Sequence, residues 1–238
     1  LEFLTNIPYL KLDSIVIPTQ FSILNAQFSI SSTPLPLFSG LFTILWLGLA
    51  MNALNWFDGI PGQVSSLSSV GFTIIGLLAI SSRVHQPEVA LLAFILAGIS
   101  AACLLFDFPP PRSLMGDTGA MFFGLMLGIL TIYAGGKVAT AFLAFGVPFA
   151  DCLIVIIRRI ISGHSPFRGS TTGEHLHHRL LTAGWSSQQI SLINLFLGSI
   201  FGITALFLNT LGKFLAILLL VTLIASISAL ARPPRTNT

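Results

Sequence analysis

Residues 88–106 read EVALLAFILAGISAACLLF, with Glu88 at the edge as the sole charge. A helix needs about 20 mostly apolar residues to cross the hydrocarbon of a bilayer, and this run supplies them. It is too long for an ordinary strand and lacks the two-residue alternation of an outer-membrane barrel, so it reads as a transmembrane helix. Runs of the same kind lie at 37–51, 64–81, 120–133, 138–157, 188–208 and 212–230. The predicted fold class is therefore all-α: a polytopic transmembrane helical bundle with about seven spans. Composition agrees, since 54% of the 238 residues are hydrophobic and 8% charged, with a mean hydropathy of +0.91. Soluble domains carry about 25% charged residues.

No solenoid repeat or low-complexity tract divides the chain, so 1–238 reads as a single integral-membrane domain. Segment 1–36 is apolar but broken by Pro8, Pro18, Pro34, Pro36, Lys11 and Asp13. A loop at the outer surface and a remnant of an earlier span are expected there, because the chain opens on Leu1 rather than Met and looks truncated at its N-terminus. Cys103 and Cys152 both fall inside predicted spans, which excludes a disulfide framework and a CxxC metal knuckle.

The net charge of +3 matters through its distribution. Threading the spans alternately gathers Arg112, Arg158, Arg159, Arg168, Arg179, Arg232 and Arg235 on one side and leaves Arg83, Lys137 and Lys213 on the other. The arginine-rich side is predicted to be cytoplasmic. No nucleic-acid partner is expected of such a chain.

Polar groups at the edge of hydrocarbon are costly unless something binds them, so each polar string beside a span is a candidate site. The string NALNWFDG at 52–59 places Asn52, Asn55 and Asp58 three residues apart, within one helix face, followed by Gly59 and Gly62. Asp117 lies between Gly116 and Gly119 at the start of the 120–133 span. It reads either as an N-cap or, with Asn55 and Asp58 on the same membrane face, as a ligand for a hard cation such as Mg²⁺. The run EHLHHR at 174–179 concentrates His175, His177 and His178 beside Arg179, a set suited to holding a diphosphate. It lacks the HExxH order of a zinc protease. Asp151 stands seven residues before Arg158, two helical turns, and an ion pair between them is expected.

Taken in order, NALNWFDG at 52–59, SLMGDTGAMFFG at 113–124, VPFAD at 147–151, SPF at 165–167 and HLHHRL at 175–180 resemble the polyprenyl-phosphate N-acetylhexosamine-1-phosphate transferases. The resemblance runs from about residue 41 to 184. The HLHHRL form is closer to the bacterial undecaprenyl-phosphate GlcNAc-1-phosphate transferase branch than to the phospho-MurNAc-pentapeptide transferase branch. It implies Mg²⁺-dependent transfer of a sugar 1-phosphate from a UDP-sugar to a polyprenyl phosphate, with release of UMP, at the cytoplasmic face of the bacterial plasma membrane. Mn²⁺ is the alternative ion, the membrane and both substrates are the implied partners, and self-association as a homodimer is left open.

Carried over by motif, the resemblance implies that Asp117, Asp58 and Asn55 are catalytic, with Asp117 and Asn55 on the metal. Asn52, His175, His177, His178 and Arg179 are implied to bind substrate. Three departures stand beside it. The family's upstream aspartate pair has no counterpart before Asn52, where only Glu2 and Asp13 are acidic; Pro61 replaces the second Asp of DGxDG; and Thr172 and Gly173 replace Asp-Arg before the histidines. Truncation accounts for the first, and the other two motivate the alternative of an inactive lipid- or nucleotide-sugar-binding relative. A secondary transporter is the third reading, motivated by Asp151 and the Gly- and Pro-interrupted spans.

Overall fold

The computed structural model describes residues 10–12, 15–17, 35–82, 84–134, 138–165 and 174–231, with side chains described from Gly40 onward. Thr172, Gly173, Arg83, Lys137, Arg168, Arg232, Arg235 and most of 1–36 lie outside these residues. A short hairpin comes first: β1 (Leu10–Leu12) pairs antiparallel with β2 (Ile15–Ile17), Leu10 opposite Ile17. The helices that follow are α1 (Leu35–Phe57), α2 (Gln63–Ile80), α3 (Pro87–Asp107), α4 (Gly116–Tyr133), α5 (Val138–Ala144), α6 (Gly146–Ile161), α7 (Leu176–Thr182), α8 (Ser187–Phe207) and α9 (Thr210–Leu230).

The chain is a multi-pass membrane protein. Within the described residues, α1, α2, α3, α4, α8 and α9 are each long and apolar enough to cross a bilayer. The run 138–157, read above as one continuous span, is instead broken: α5 and α6 meet at Phe145 with a bend of 94°. Pro148 is the reason. Within a continuous helix it would leave the Ala144 carbonyl without a donor and crowd it, whereas in the first turn of a new helix the missing N–H costs nothing. Gly146 seats the break against α9, where an added Cβ would lie 2.0 Å from Leu220 Cδ2. Phe72, fully buried on α2, locks the junction edge-on to Phe145 and Phe123, with ring centroids 5.7 and 5.8 Å away.

The pairing of α1 with α4 sets the position of the site. Trp46 Nε1 donates to Thr131 Oγ1 at 3.0 Å and to the Gly128 carbonyl at 3.2 Å. One turn further along α1, Gly124 lies directly against its backbone: an added Cβ would be 2.6 Å from both Ala50 O and Met51 Cα. Continued along both helices, this antiparallel register brings the end of α1, with Asp58, beside the start of α4, with Asp117. Gly124→Ala is expected to force the two helices apart and cost about 1–3 kcal/mol. A lowered unfolding midpoint in detergent micelles would register it.

The same end of the bundle collects the connections between the other helices. Gln188 Nε2 donates to Pro109 O at 2.9 Å and Ser191 Oγ to Pro61 O at 3.1 Å, tying α8 to the α3–α4 and α1–α2 links. Arg158, Arg159 and Arg179 lie at this end, alongside the last turns of α9. Lys213 lies at the other end, with Nζ 2.8 Å from Thr140 Oγ1. The described basic residues therefore divide between the ends of the bundle as the sequence predicts.

Candidate active site

The α1–α2 link begins where the apolar run stops. Asn55 buries its Nδ2, which has no hydrogen-bond partner among the described residues. A carboxamide can turn either its NH₂ or its carbonyl oxygen to that position, so it serves either as a donor to an oxyanion or, flipped, as an oxygen ligand. Asp58 follows α1 directly, and its backbone N–H returns to Asn55 O at 3.2 Å, so the two side chains stay on one turn. Gly62 closes the link at φ 83°, a left-handed conformation that glycine takes without strain. Asn52 is exposed and donates back along its own helix to Gly48 O at 2.7 Å.

A second carboxylate joins this turn. Asp107, the last residue of α3, is buried and accepts from Gly62 N at 3.0 Å and Ser65 Oγ at 2.7 Å. It thereby pins the α1–α2 link onto the α3–α4 link. It carries the same sequence signal as Asp58, a carboxylate ending an apolar run. Asp58 is half-buried, and its carboxyl is pushed up to about 7, first by burial and then by the negative charges of Asp107 and Asp117. That coupling ties carboxylates from three different segments into one electrostatic unit. Asp117 itself is exposed and lies inside the first turn of α4, after Met115 at the N-cap position, so the capping role is excluded.

The histidine segment is hung from α6. Asp151 accepts from Leu176 N and from His175 Nδ1, each at 2.8 Å, and so fixes both the start of α7 and the orientation of the His175 ring. This corrects the expected Asp151–Arg158 ion pair: both carboxylate oxygens serve the histidine segment, and Arg158 Nη1 reaches Ser228 Oγ on α9 at 3.3 Å. A desolvated backbone N–H and ring N–H compete for a buried carboxylate more effectively than a guanidinium that can reach the bundle edge. Asp151→Ala is expected to cost about 3 kcal/mol by stranding both donors, measured as a lower unfolding midpoint.

From that anchor the rings extend over the α1–α2 link. Trp56 meets His175 with ring centroids 5.9 Å apart and carries the Arg159 guanidinium 5.5 Å from its centroid; Arg159 Nε in turn donates to Glu174 at 3.2 Å. His177 stacks parallel to His175 at 5.8 Å and lies 4.2 Å from the His178 ring. The His177 ring rests on Gly59, where an added Cβ would be 2.0 Å from its Nε2. That ring is 2% exposed, and neither nitrogen has a partner among the described residues. Burial, then the neighbouring His178, pushes its pKa down to about 4, so it is neutral near pH 7. It is therefore a hydrogen-bonding group rather than a cation. His178 is shifted the same way, by burial and then by His175.

The structure thus brings Asn55, Asp58, Asp117, His175, His177 and His178 to one end of the bundle, joined by the Gly59–His177 contact and the coupling of Asp58 to Asp117. It leaves Asn52 exposed and turns Arg179 away, with Nη1 donating to Ser228 O on α9 at 3.0 Å. Among the described residues no three His, Cys, Asp or Glu side chains are arranged to hold a metal ion by themselves. This donor set does not make a zinc cage. It does fit Mg²⁺, which is commonly held by one or two carboxylates and completed by water and substrate phosphate oxygens.

Residues 3–135 match the family described as Glycosyl transferase family 4. Over 228 residues the chain is 30% identical to a probable undecaprenyl-phosphate N-acetylglucosaminyl 1-phosphate transferase of Bacillus subtilis, covering 93% of this chain and 60% of the relative. It is 31% identical over 168 residues to a decaprenyl-phosphate N-acetylglucosaminephosphotransferase of Mycobacterium leprae, covering 60% of this chain and 41% of that one. Over 153 residues it is 30% identical to a phospho-N-acetylmuramoyl-pentapeptide-transferase of Levilactobacillus brevis, covering 63% and 46%. The chain spans about half the length of these curated relatives.

Proposed function

The chain belongs to glycosyl transferase family 4, and on that premise we propose that the full-length protein transfers a HexNAc 1-phosphate, GlcNAc being the favoured sugar, from a UDP-sugar to a polyprenyl phosphate. An oxygen of the lipid phosphate attacks the β-phosphorus of the donor, the bridging P–O bond to the α-phosphate breaks, and UMP leaves. The site faces the cytoplasm at the bacterial plasma membrane, where a water-soluble donor and a lipid acceptor can meet. One observation carries this reading above all: Asp58 is coupled to Asp107 and Asp117 while the adjacent Gly59 lies under His177.

Attack of one phosphate anion on another is opposed by charge repulsion, so catalysis consists largely of positioning and charge neutralisation. Asp117, Asp58 and Asn55 are the residues that would hold Mg²⁺, or Mn²⁺ in its place. Bound there, the ion would neutralise donor phosphate oxygens and favour departure of UMP. Neutral His177, with its ring nitrogens buried above Gly59, would donate to a phosphate oxygen, and His175 would be kept in orientation by Asp151. Asp107 is a positioning residue: through Gly62 and Ser65 it holds the turn that carries Asp58. The names of the relatives favour the enzyme over an inactive binding relative. The transporter reading is disfavoured by the gathering of the polar groups at one end of the bundle.

The test is UMP release from UDP-GlcNAc and other UDP-HexNAcs by the full-length protein in proteoliposomes. Release should require both polyprenyl phosphate and Mg²⁺; none from any UDP-HexNAc would refute the assignment. A pH series adds a second check. Because Asp58 must lose a proton to accept the ion, Mg²⁺ affinity should rise with pH by up to about tenfold per unit below 7 and level off above it. Asp58→Asn should flatten that dependence. The sign for metal-free stability is the reverse: a carboxyl raised from 3.8 to about 7 contributes stability below its ordinary pKa and loses it as pH climbs through 7.

A further inference from the structure

The seam between α2 and α8 begins at the link that carries Asp58 and Gly59. Three contacts set its register: Ser191 Oγ donates to Pro61 O at 3.1 Å, an added Cβ on Gly198 would lie 2.3 Å from Leu67 Cδ1, and one on Gly202 would lie 2.2 Å from Ile74 Cδ1. The two helices therefore run parallel, and Asn194, about midway between Ser191 and Gly198, is level with the first turn of α2, where Gln63 stands. At about 100° per residue, Gln63, Leu67 and Ile74 fall within about 40° on α2, and Ser191, Asn194, Gly198 and Gly202 within about 80° on α8. Both carboxamides thus belong to the stripes that face each other across the seam.

Gln63 and Asn194 are 0% and 1% exposed, and all four of their polar side-chain atoms, Gln63 Nε2 and Oε1 and Asn194 Nδ2 and Oδ1, lack a hydrogen-bond partner among the described residues. Polar groups removed from water in a membrane bundle are costly unless something satisfies them. Each carboxamide presents an NH₂ and a carbonyl oxygen, so the group that satisfies the pair must both accept and donate. An oxyanion only accepts and a metal ion only takes oxygens, and neither stripe carries a charge to attract them. The seam also limits size. Deeper in the bundle it closes where Leu67 meets Gly198, and at the link it closes on the Ser191–Pro61 bond, so nothing larger than water enters without parting the helices. The two carboxamides are level yet not bonded to each other, a spacing that a bridging water spans.

We propose that Gln63 and Asn194 bind ordered water within the α2–α8 seam, at a neutral site enclosed by the bundle. A buried water makes about three hydrogen bonds to groups otherwise left unsatisfied, and this pair of carboxamides offers both donors and acceptors for them. Beside the Ser191–Pro61 bond, the bridge fastens α8 to the start of α2 and so to the α1–α2 link. The assignment rests on burial, register and hydrogen-bonding chemistry, and stands or falls without the transferase reading.

The test is water-edited solid-state NMR of the full-length protein in lipid bilayers, isotope-labelled at the Gln and Asn side-chain nitrogens. The side-chain amides of Gln63 and Asn194 should both receive magnetisation from water, and in a second sample neither should be bleached by a gadolinium chelate added to the buffer. Asn194→Leu should lower the transfer to Gln63 severalfold, and Gln63→Leu the transfer to Asn194, because each substitution removes half of the shared site. The wild-type measurement decides the matter even where a leucine variant does not fold. Absence of water transfer to the two wild-type amides, as a direct bond between them would give, overturns the proposal. Bleaching by the chelate, which would make the seam open to bulk solvent, or unchanged transfer to Gln63 in a folded Asn194→Leu protein overturns it as well.

Discussion

Asp117→Asn in the full-length protein is expected to lower polyprenyl-phosphate-dependent UMP release by about a thousandfold, with helical content unchanged. The side chain is exposed, lies within the first turn of α4 rather than at its cap, and is felt electrostatically by Asp58. Its structural contribution is limited to the interaction of a negative charge with a helix N-terminus, about 0.3–1 kcal/mol. Activity and stability should therefore separate: turnover collapses while the unfolding midpoint moves little. A large drop in midpoint with a proportionate drop in turnover would return Asp117 to a structural role.

Gly59→Ala should be nearly as damaging, although it adds one methyl group. The new Cβ would lie 2.0 Å from His177 Nε2, so the imidazole must leave its seat. Misplacement of a binding group by about 1 Å is enough to lose about a hundredfold in kcat/KM. His177→Ala should give a loss of similar size, and the double variant should be little worse than either single one, since both act through one ring. Additive losses would show that Gly59 serves the backbone turn alone. A Gly59→Ala enzyme with wild-type kcat/KM would remove His177 from the site altogether.

Run length predicts the bundle well, because the bilayer imposes a minimum apolar length that few soluble segments satisfy. The break at Phe145 escaped the same reading. Residues 138–157 are apolar on both sides of Pro148, and proline is tolerated within membrane helices, so hydropathy alone does not separate a kink from a 94° bend. The polar strings located one end of the site through local spacing: Asn55 and Asp58 share a turn because they are three residues apart. What spacing could not supply is which segment meets which. Asp151 and Arg158 looked paired because they lie two turns apart on one helix, yet the carboxylate is used by His175 and Leu176, beyond the following loop. Gly59 stands in the sequence only as the glycine after Asp58, and its contact with His177 across more than a hundred residues is a property of packing alone. Asp107 was legible in principle, since, like Asp58, it is a carboxylate that ends an apolar run. Pro61, a departure from the family pattern, has a visible structural role, since its carbonyl receives the Ser191 hydroxyl and binds the turn to α8.

The central claim is that carboxylates from the α1–α2 link and α4 share one basin with the imidazoles of α7, organised around a divalent ion and a diphosphate. Phosphorus NMR of UDP-GlcNAc with the full-length protein and substoichiometric Mn²⁺ tests this most directly, because the paramagnetic ion broadens only the phosphates held next to it. Strong broadening of both donor phosphates is predicted for the wild type, with loss of that effect in Asp117→Asn and Asp58→Asn and weakening in Gly59→Ala. Broadening that persists undiminished in all three variants would contradict it.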